Sequence, residues 1–342
     1  MGVLQVVGDR PQTGKTSLIS ALLIQLAEAG RPASYYKPFS SSPTEDSDVA
    51  FISRQLPENL GIPQPHPFPD SGSDPNLPDS LKQQIANTVA GLDAASQPVL
   101  VEGPDLRREG RESSLAPDLA SLLDAKVILI VGYARGLESP AVTQAAAGFG
   151  ARLAGVVINN VGQHRRQEIN GGVAGEWRTQ SIPILGAIPE DRTMLAVTVQ
   201  QIADFLGAAW VQEPVNTDAW VDRFLIGGNI MDSGINYFGR YTNQAVITRA
   251  ERPDIQMASL LPGTKCLILT GGTEPTEYIR VEAAKREVPL LLVDQDTLTA
   301  AEALGDLLDL AHPHDQFKAQ QFRELVQRHL DLDLLNSVID SL

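Results

Sequence analysis

The chain has 342 residues, 43% of them apolar and 20% charged, which is ordinary for a globular protein of about two domains. Its net charge of −15 argues against nucleic acid as a main partner, because the Arg107-Arg108 and Arg165-Arg166 pairs are too short to build a basic surface. No apolar run reaches membrane-spanning length, the opening run is too short for a signal peptide, and Cys266 is the only cysteine, so the cytoplasm is the expected compartment and a membrane is not an expected partner.

Val3 to Val7 reads as a buried strand, and Ser17 to Ala27 as a helix with apolar residues on one side. Between them lies Gly8-Asp9-Arg10-Pro11-Gln12-Thr13-Gly14-Lys15-Thr16. A strand, a glycine-bounded turn and a helix opening on Gly-Lys-Thr form a phosphate cradle, with backbone N–H groups and the positive end of the helix dipole facing the anion. Lys15 is placed to reach outer phosphates and the Thr16 hydroxyl to hold Mg²⁺. The glycines enclose Asp9 to Thr13, one residue more than the common pattern.

Further strands are expected at Ala33 to Pro38, Pro98 to Gly103, Lys126 to Gly132, Ala154 to Asn160 and Ile184 to Pro189. Near-continuous Val/Ile/Leu runs predict strands covered on both faces, hence a parallel sheet with helices on each side. Residues 55–79 are too rich in proline for a helix or central strand and read as a long loop, with His66 a solvated residue in it.

A boundary falls near Pro189 to Thr193. A helix at Val199 to Gly207 and strands at Asp222 to Gly228, Gln244 to Thr248, Lys265 to Leu269 and Val288 to Val293 predict a second, smaller α/β domain over 191–311. Residues 312–342 form a helical tail with Phe322, Leu325, Val326 and Leu330 on one face, suited to the second domain or to another chain. Cys266, Trp177 and Trp220 read as packing residues. His312 and His314 lack neighbouring metal-ligand companions in sequence, so no metal site is expected there.

In parallel sheets ligands gather at the C-terminal strand ends. Lys37, Glu102 and Asn159 close three strands, and Asp48 opens a helix-like stretch. A nucleoside triphosphate with Mg²⁺ needs cations on its phosphates and carboxylates near the metal, which Lys15, Lys37, Asp48 and Glu102 supply.

At these residues the chain resembles dethiobiotin synthetase and its relatives among the P-loop amide-forming enzymes, over roughly residues 1–190. The resemblance runs through Gly14-Lys15-Thr16, Tyr36-Lys37-Pro38 with Ser41, Ser47-Asp48, Val101-Glu102-Gly103, Ile128 to Gly132, and Ala154-Gly155 to Asn159. It implies that Thr16, Asp48 and Glu102 serve Mg²⁺, Lys15 the phosphates of ATP, and Asn159 the adenine. Lys37 would lie beside a reacting carboxylate as the catalytic group. Gly8, Arg10, Thr13, Gly14 and Ser17 complete the nucleotide-binding set.

The family's acidic loop residue is replaced by Gln12, and its glycine-rich turn by Gly103-Pro104-Asp105-Leu106. Arg10 stands where many related ATPases carry a second lysine. The nucleotide half is kept and the organic half is altered.

Leu269-Thr270-Gly271-Gly272, with Gly227-Gly228-Asn229-Ile230-Met231 upstream, is similar to a DRTGG domain. The two domains in this order resemble the N-terminal region of long phosphotransacetylases. The chain ends where their acetyltransferase domain would begin, so acetyl transfer is not expected. The kept nucleotide half and altered organic half lead us to expect a Mg-ATP-binding regulator or sensor, in a homodimer. An ATP-dependent ligase of an unknown carboxylate and a structural partner of a separate acyltransferase are the alternatives.

Overall fold

The computed structural model describes residues 2–55, 67–69, 77–93, 97–108, 111–112, 114–133, 139–165, 169, 172, 174–228, 234–309 and 311–342. His66, most of the proline-rich loop, Arg166, and Asn229, Ile230 and Met231 lie outside the described residues.

The chain divides into two compact units, one of Met1–Asp191 with Pro313–Leu342, the other of Arg192–His312. In the first, strands β1 (Val3–Gly8), β2 (Ser34–Tyr36), β3 (Val99–Glu102), β4 (Lys126–Gly132), β5 (Leu153–Val161) and β6 (Ile184–Pro189) form one sheet in the order β6-β5-β4-β1-β3-β2. All its strand pairs are parallel. Every residue of β1 and β3 is buried, Gln5 and Glu102 included, in keeping with their near-continuous apolar runs.

Helices α1 (Lys15–Glu28), α2 (Ser47–Gln55), α3 (Asp79–Asp93), α4 (Leu115–Leu122), α5 (Ser139–Phe149) and α6 (Ala174–Thr179) complete the body of this unit. One core joins Val142 and Phe149 of α5 and Trp177 of α6 to Val7, Leu129 and Val156. A second joins Ile85 and Val89 of α3 to Val3, Val99 and Val101. Trp177 is fully buried, as a packing residue should be.

The tail forms α12 (Gln316–His329) and α13 (Leu332–Asp340), and α12 packs on α1 and β6 of the first unit, to which the tail belongs. The apolar face expected from sequence is the face that packs: Phe322, Leu325, Val326 and Leu330 are all buried. Gly186 makes the approach possible. Its φ is +150°, and a Cβ there would fall on the His329 carbonyl oxygen. Asp331 then donates its N–H to the Leu185 carbonyl at 2.7 Å.

The second unit carries a five-stranded sheet, β7-β11-β10-β9-β8, of Ala209–Trp210, Leu290–Val293, Thr264–Thr270, Gln244–Arg249 and Arg223–Gly227. Only β7 is antiparallel. Helices α7 (Val199–Leu206), α8 (Gly234–Phe238), α9 (Pro253–Ser259), α10 (Glu277–Lys285) and α11 (Thr297–Asp309) complete it. Cys266 is fully buried in β10, and its thiol is pushed up to about 12 by burial. Gly271 and Gly272, at φ +94° and +69°, give their N–H groups to the Gln295 and Val293 carbonyls, so this pair makes a turn. Among the described residues no helix is long and apolar enough to cross a membrane.

Candidate functional site

At Gly8 the chain leaves β1 under tight steric limits, since a Cβ would sit 2.6 Å from both Asp105 Oδ1 and Thr13 Oγ1. Asp9 ties the turn to β4 by donating N–H to the Ile130 carbonyl (3.1 Å) and accepting from Gly132 N–H (3.0 Å). Gly14 then caps α1 at φ +100° with no side-chain cap on the helix. The first-turn amides of α1 therefore have no capping oxygen, the condition that suits an anion. Thr13 and Ser17 on either side are buried.

Asn159, at the end of β5, donates its Nδ2 to the Thr13 carbonyl at 2.8 Å. The contact braces the loop across two strands. Arg10 turns its guanidinium onto the Gly132 carbonyl and lies 3.6 Å from Asp9 Oδ2.

Behind the loop, Thr16 Oγ1 lies 3.0 Å from Asp48 Oδ1 and 3.3 Å from Glu102 Oε1. Asp48 stands in the first turn of α2, and Glu102 ends β3. Lys37 Nζ pairs with Asp48, lies 2.8 Å from Asp46 Oδ2, and is 4.0 Å from Glu102 Oε1. Tyr35 donates its hydroxyl to Glu102 Oε2 at 2.9 Å. Lys15 pairs with Asp105. The structure thus brings Lys15, Thr16, Lys37, Asp48 and Glu102 together.

Burial dominates the titration of this cluster. It pushes Glu102 up to about 7, with the Asp48 charge adding and Lys37 and Lys15 opposing. It also raises Tyr35 well above the phenol range, with Glu102 adding. Burial works against the charge of Lys37, yet Glu102, Asp48 and Asp46 outweigh it and hold the ammonium above its ordinary value. Asp48 is desolvated too, but His314 and Lys37 hold it below the usual carboxylate range.

His314 is the residue that sequence reasoning missed most completely. Its Nε2 lies 2.7 Å from Asp48 Oδ1, the oxygen that also accepts from Thr16. Its companion comes from the other end of the chain, so spacing along the sequence carries no signal. Asp46 and Asp105 were legible as carboxylates two residues before Asp48 and three after Glu102.

Thr16, Asp48 and Glu102 offer hard oxygen donors, the set that suits Mg²⁺ when phosphates supply the remaining positions. Among the described residues no three His, Cys, Asp or Glu side chains form a metal site by themselves.

The fold and loop define a P-loop protein. The chain belongs to the AAA domain family, whose model matches residues 3–198, and a DRTGG domain model matches residues 201–307. It is 25% identical over 173 residues to the phosphate acetyltransferase of Acinetobacter baylyi, covering 48% of this chain and 24% of that protein. It is 31% identical over 157 residues to the ATP-dependent dethiobiotin synthetase BioD of Rhodococcus jostii, covering 44% and 63%. With the phosphate acetyltransferase of Nitrosomonas europaea it shares 23% identity over 350 residues, covering 94% and 49%. The chain spans less than two thirds of the length of each of these relatives. Its domain order is that of the N-terminal region of phosphotransacetylases.

Proposed function

We propose that the first unit binds ATP with Mg²⁺ and that the chain is a nucleotide-responsive regulator. The observation that carries this reading is the convergence of Asp48 and Glu102 on the Thr16 hydroxyl, in the first turn of a helix with no side-chain cap. The α1 amides and Lys15 would orient the phosphates, and Thr16, Asp48 and Glu102 would hold the cation. Mg²⁺, when bound, neutralises phosphate charge. Asn159 would serve the adenine while it braces Thr13.

A regulatory role is supported by what surrounds Lys15 and Gln12. The residues that depart from the ligase pattern place a carboxylate, Asp105, on the loop lysine and a neutral amide in the loop. Asp105 disfavours an organic carboxylate beside Lys15, while the α1 amides stay open to phosphate. The related phosphate acetyltransferases support a role beside acyl transfer.

A second reading, an ATP-dependent ligase, is favoured by Lys37, whose nearly buried ammonium sits among Asp46, Asp48 and Glu102. There it could face an acyl phosphate or carbamate. Calorimetric titration of the whole chain with ATP and GTP, with and without Mg²⁺, tests the primary reading. Mg²⁺-dependent ATP binding that Lys15→Ala abolishes is expected; a chain that ignores every nucleotide overturns it. Rapid carboxylate-dependent turnover would replace the regulator by the ligase.

A further inference from the structure

We infer that His314 is a positioning residue of the cation site, holding Asp48 in place for Mg²⁺; this deepens the Mg-ATP reading and rests on it. Asp48 is gripped from three sides. Oδ1 takes the Thr16 hydroxyl at 3.0 Å and His314 Nε2 at 2.7 Å, and Oδ2 takes the Lys37 ammonium. An ionised carboxylate only accepts, so His314 Nε2 carries the proton in this contact.

Three helices build the contact. Thr16 stands in the first turn of α1, Asp48 in the first turn of α2, and His314 two residues before α12. The His314 ring rests on Phe51 of α2, centroid to centroid 5.7 Å, and Phe51 is itself buried. Directly after His314, Asp315 caps α12 by accepting the Phe317 N–H at 2.7 Å. That helix packs on α1, the helix that carries Thr16. The imidazole is therefore set against the helix that carries Asp48, and the helix that follows it against the one that carries Thr16.

A carboxylate serving a hard cation works best when its second partner fixes its direction, and loss of such a partner commonly costs about 10–100-fold in metal affinity. His314 has the reach and the geometry for this. It also has an unusual origin, for the second unit ends at His312 and the site gains this side chain two residues later.

The test titrates ATP into the full-length protein with and without Mg²⁺, comparing wild type, His314→Ala and His314→Gln, with thermal melts to confirm that each is folded. Expected is a loss of about tenfold or more in affinity for His314→Ala only when Mg²⁺ is present. Most of it should be regained in His314→Gln, whose amide can donate to Asp48. His314→Ala that binds Mg-ATP like wild type, or that loses affinity equally without Mg²⁺, overturns the assignment. So does His314→Gln that is folded and as weak as His314→Ala. If His314→Ala does not fold, His314→Gln against wild type decides, near-wild-type Mg²⁺ dependence being expected. A wild type that binds no nucleotide brings down the Mg-ATP reading itself, whereas a binding wild type with an unaffected variant removes only His314.

Discussion

Lys15 and Asp105 form an ion pair in which both side chains are nearly buried, at 12% and 8% exposure. The lysine that should meet phosphate oxygens is thus already met by a carboxylate from the turn after β3. On the Mg-ATP reading, an incoming phosphate has to displace it.

Neutralising that carboxylate should ease the displacement. Asp105→Asn is expected to tighten ATP binding by up to about tenfold, about 1.4 kcal/mol, at a cost of on the order of 1–3 kcal/mol in folding stability from the weakened buried pair. Calorimetry and urea unfolding read the two effects separately. Weaker ATP binding in the folded variant would show that Asp105 assists the phosphate rather than competing with it.

Gly14→Ala places a Cβ at φ +100°, 2.6 Å from Asn159 Nδ2. The strained backbone costs about 1–2 kcal/mol, and disturbing the Asn159 to Thr13 bond adds about 1 kcal/mol. The expected outcome is a folded but destabilised protein with ATP affinity lost. Retention of full affinity would mean that the loop does not need its present shape.

Lys318 of α12 is buried, and burial pulls its pKa down to about 8, with Asp315 favouring the charge. The unfolded chain therefore binds more protons than the folded one between about pH 8 and the ordinary lysine value near 10.5. Stability from this group rises with pH across that window and is penalised below it. Lys318→Met should raise the melting temperature at pH 7, by an effect on the order of 2–3 kcal/mol, and the advantage should vanish above about pH 10.5. Melts of both proteins from pH 7 to 10.5 check it; a constant difference would refute it.

Phe322→Ala should cost about 3–5 kcal/mol, because Phe322 lies at 3% exposure on the face that α12 packs against α1 and β6. Hydrogen exchange should show lost protection in α1 and β6, with the strands of the second unit between 244 and 293 spared. Loss confined to those strands would contradict the observed packing.

The parallel sheet was legible because most of its strands are near-continuous apolar runs, and Val3 to Val7, Val99 to Val101 and Val127 to Val131 all fall where the pattern put them. The second strand is shorter than expected, Ser34–Tyr36, because Lys37 and Pro38 leave the ladder: proline has no N–H to give and restricts the residue before it. The apolar face of the tail was also legible, since helical spacing shows which residues are buried. Spacing cannot show against what. The partner surface depends on Gly186 and on backbone pairing near Leu330, contacts more than a hundred residues apart in sequence. The same limit hid His314, whereas Thr16, Lys37, Asp48 and Glu102 could be placed from strand and helix ends alone.

Because the tail returns to the first unit, the Arg192–His312 segment is an insertion with both its ends fastened to one body. One join follows β6 and the other precedes α12, both elements of the first unit. Neither end can relax as a free terminus would. Two covalent joins, Asp191 to Arg192 and His312 to Pro313, hold a domain that a terminal position would have left on one.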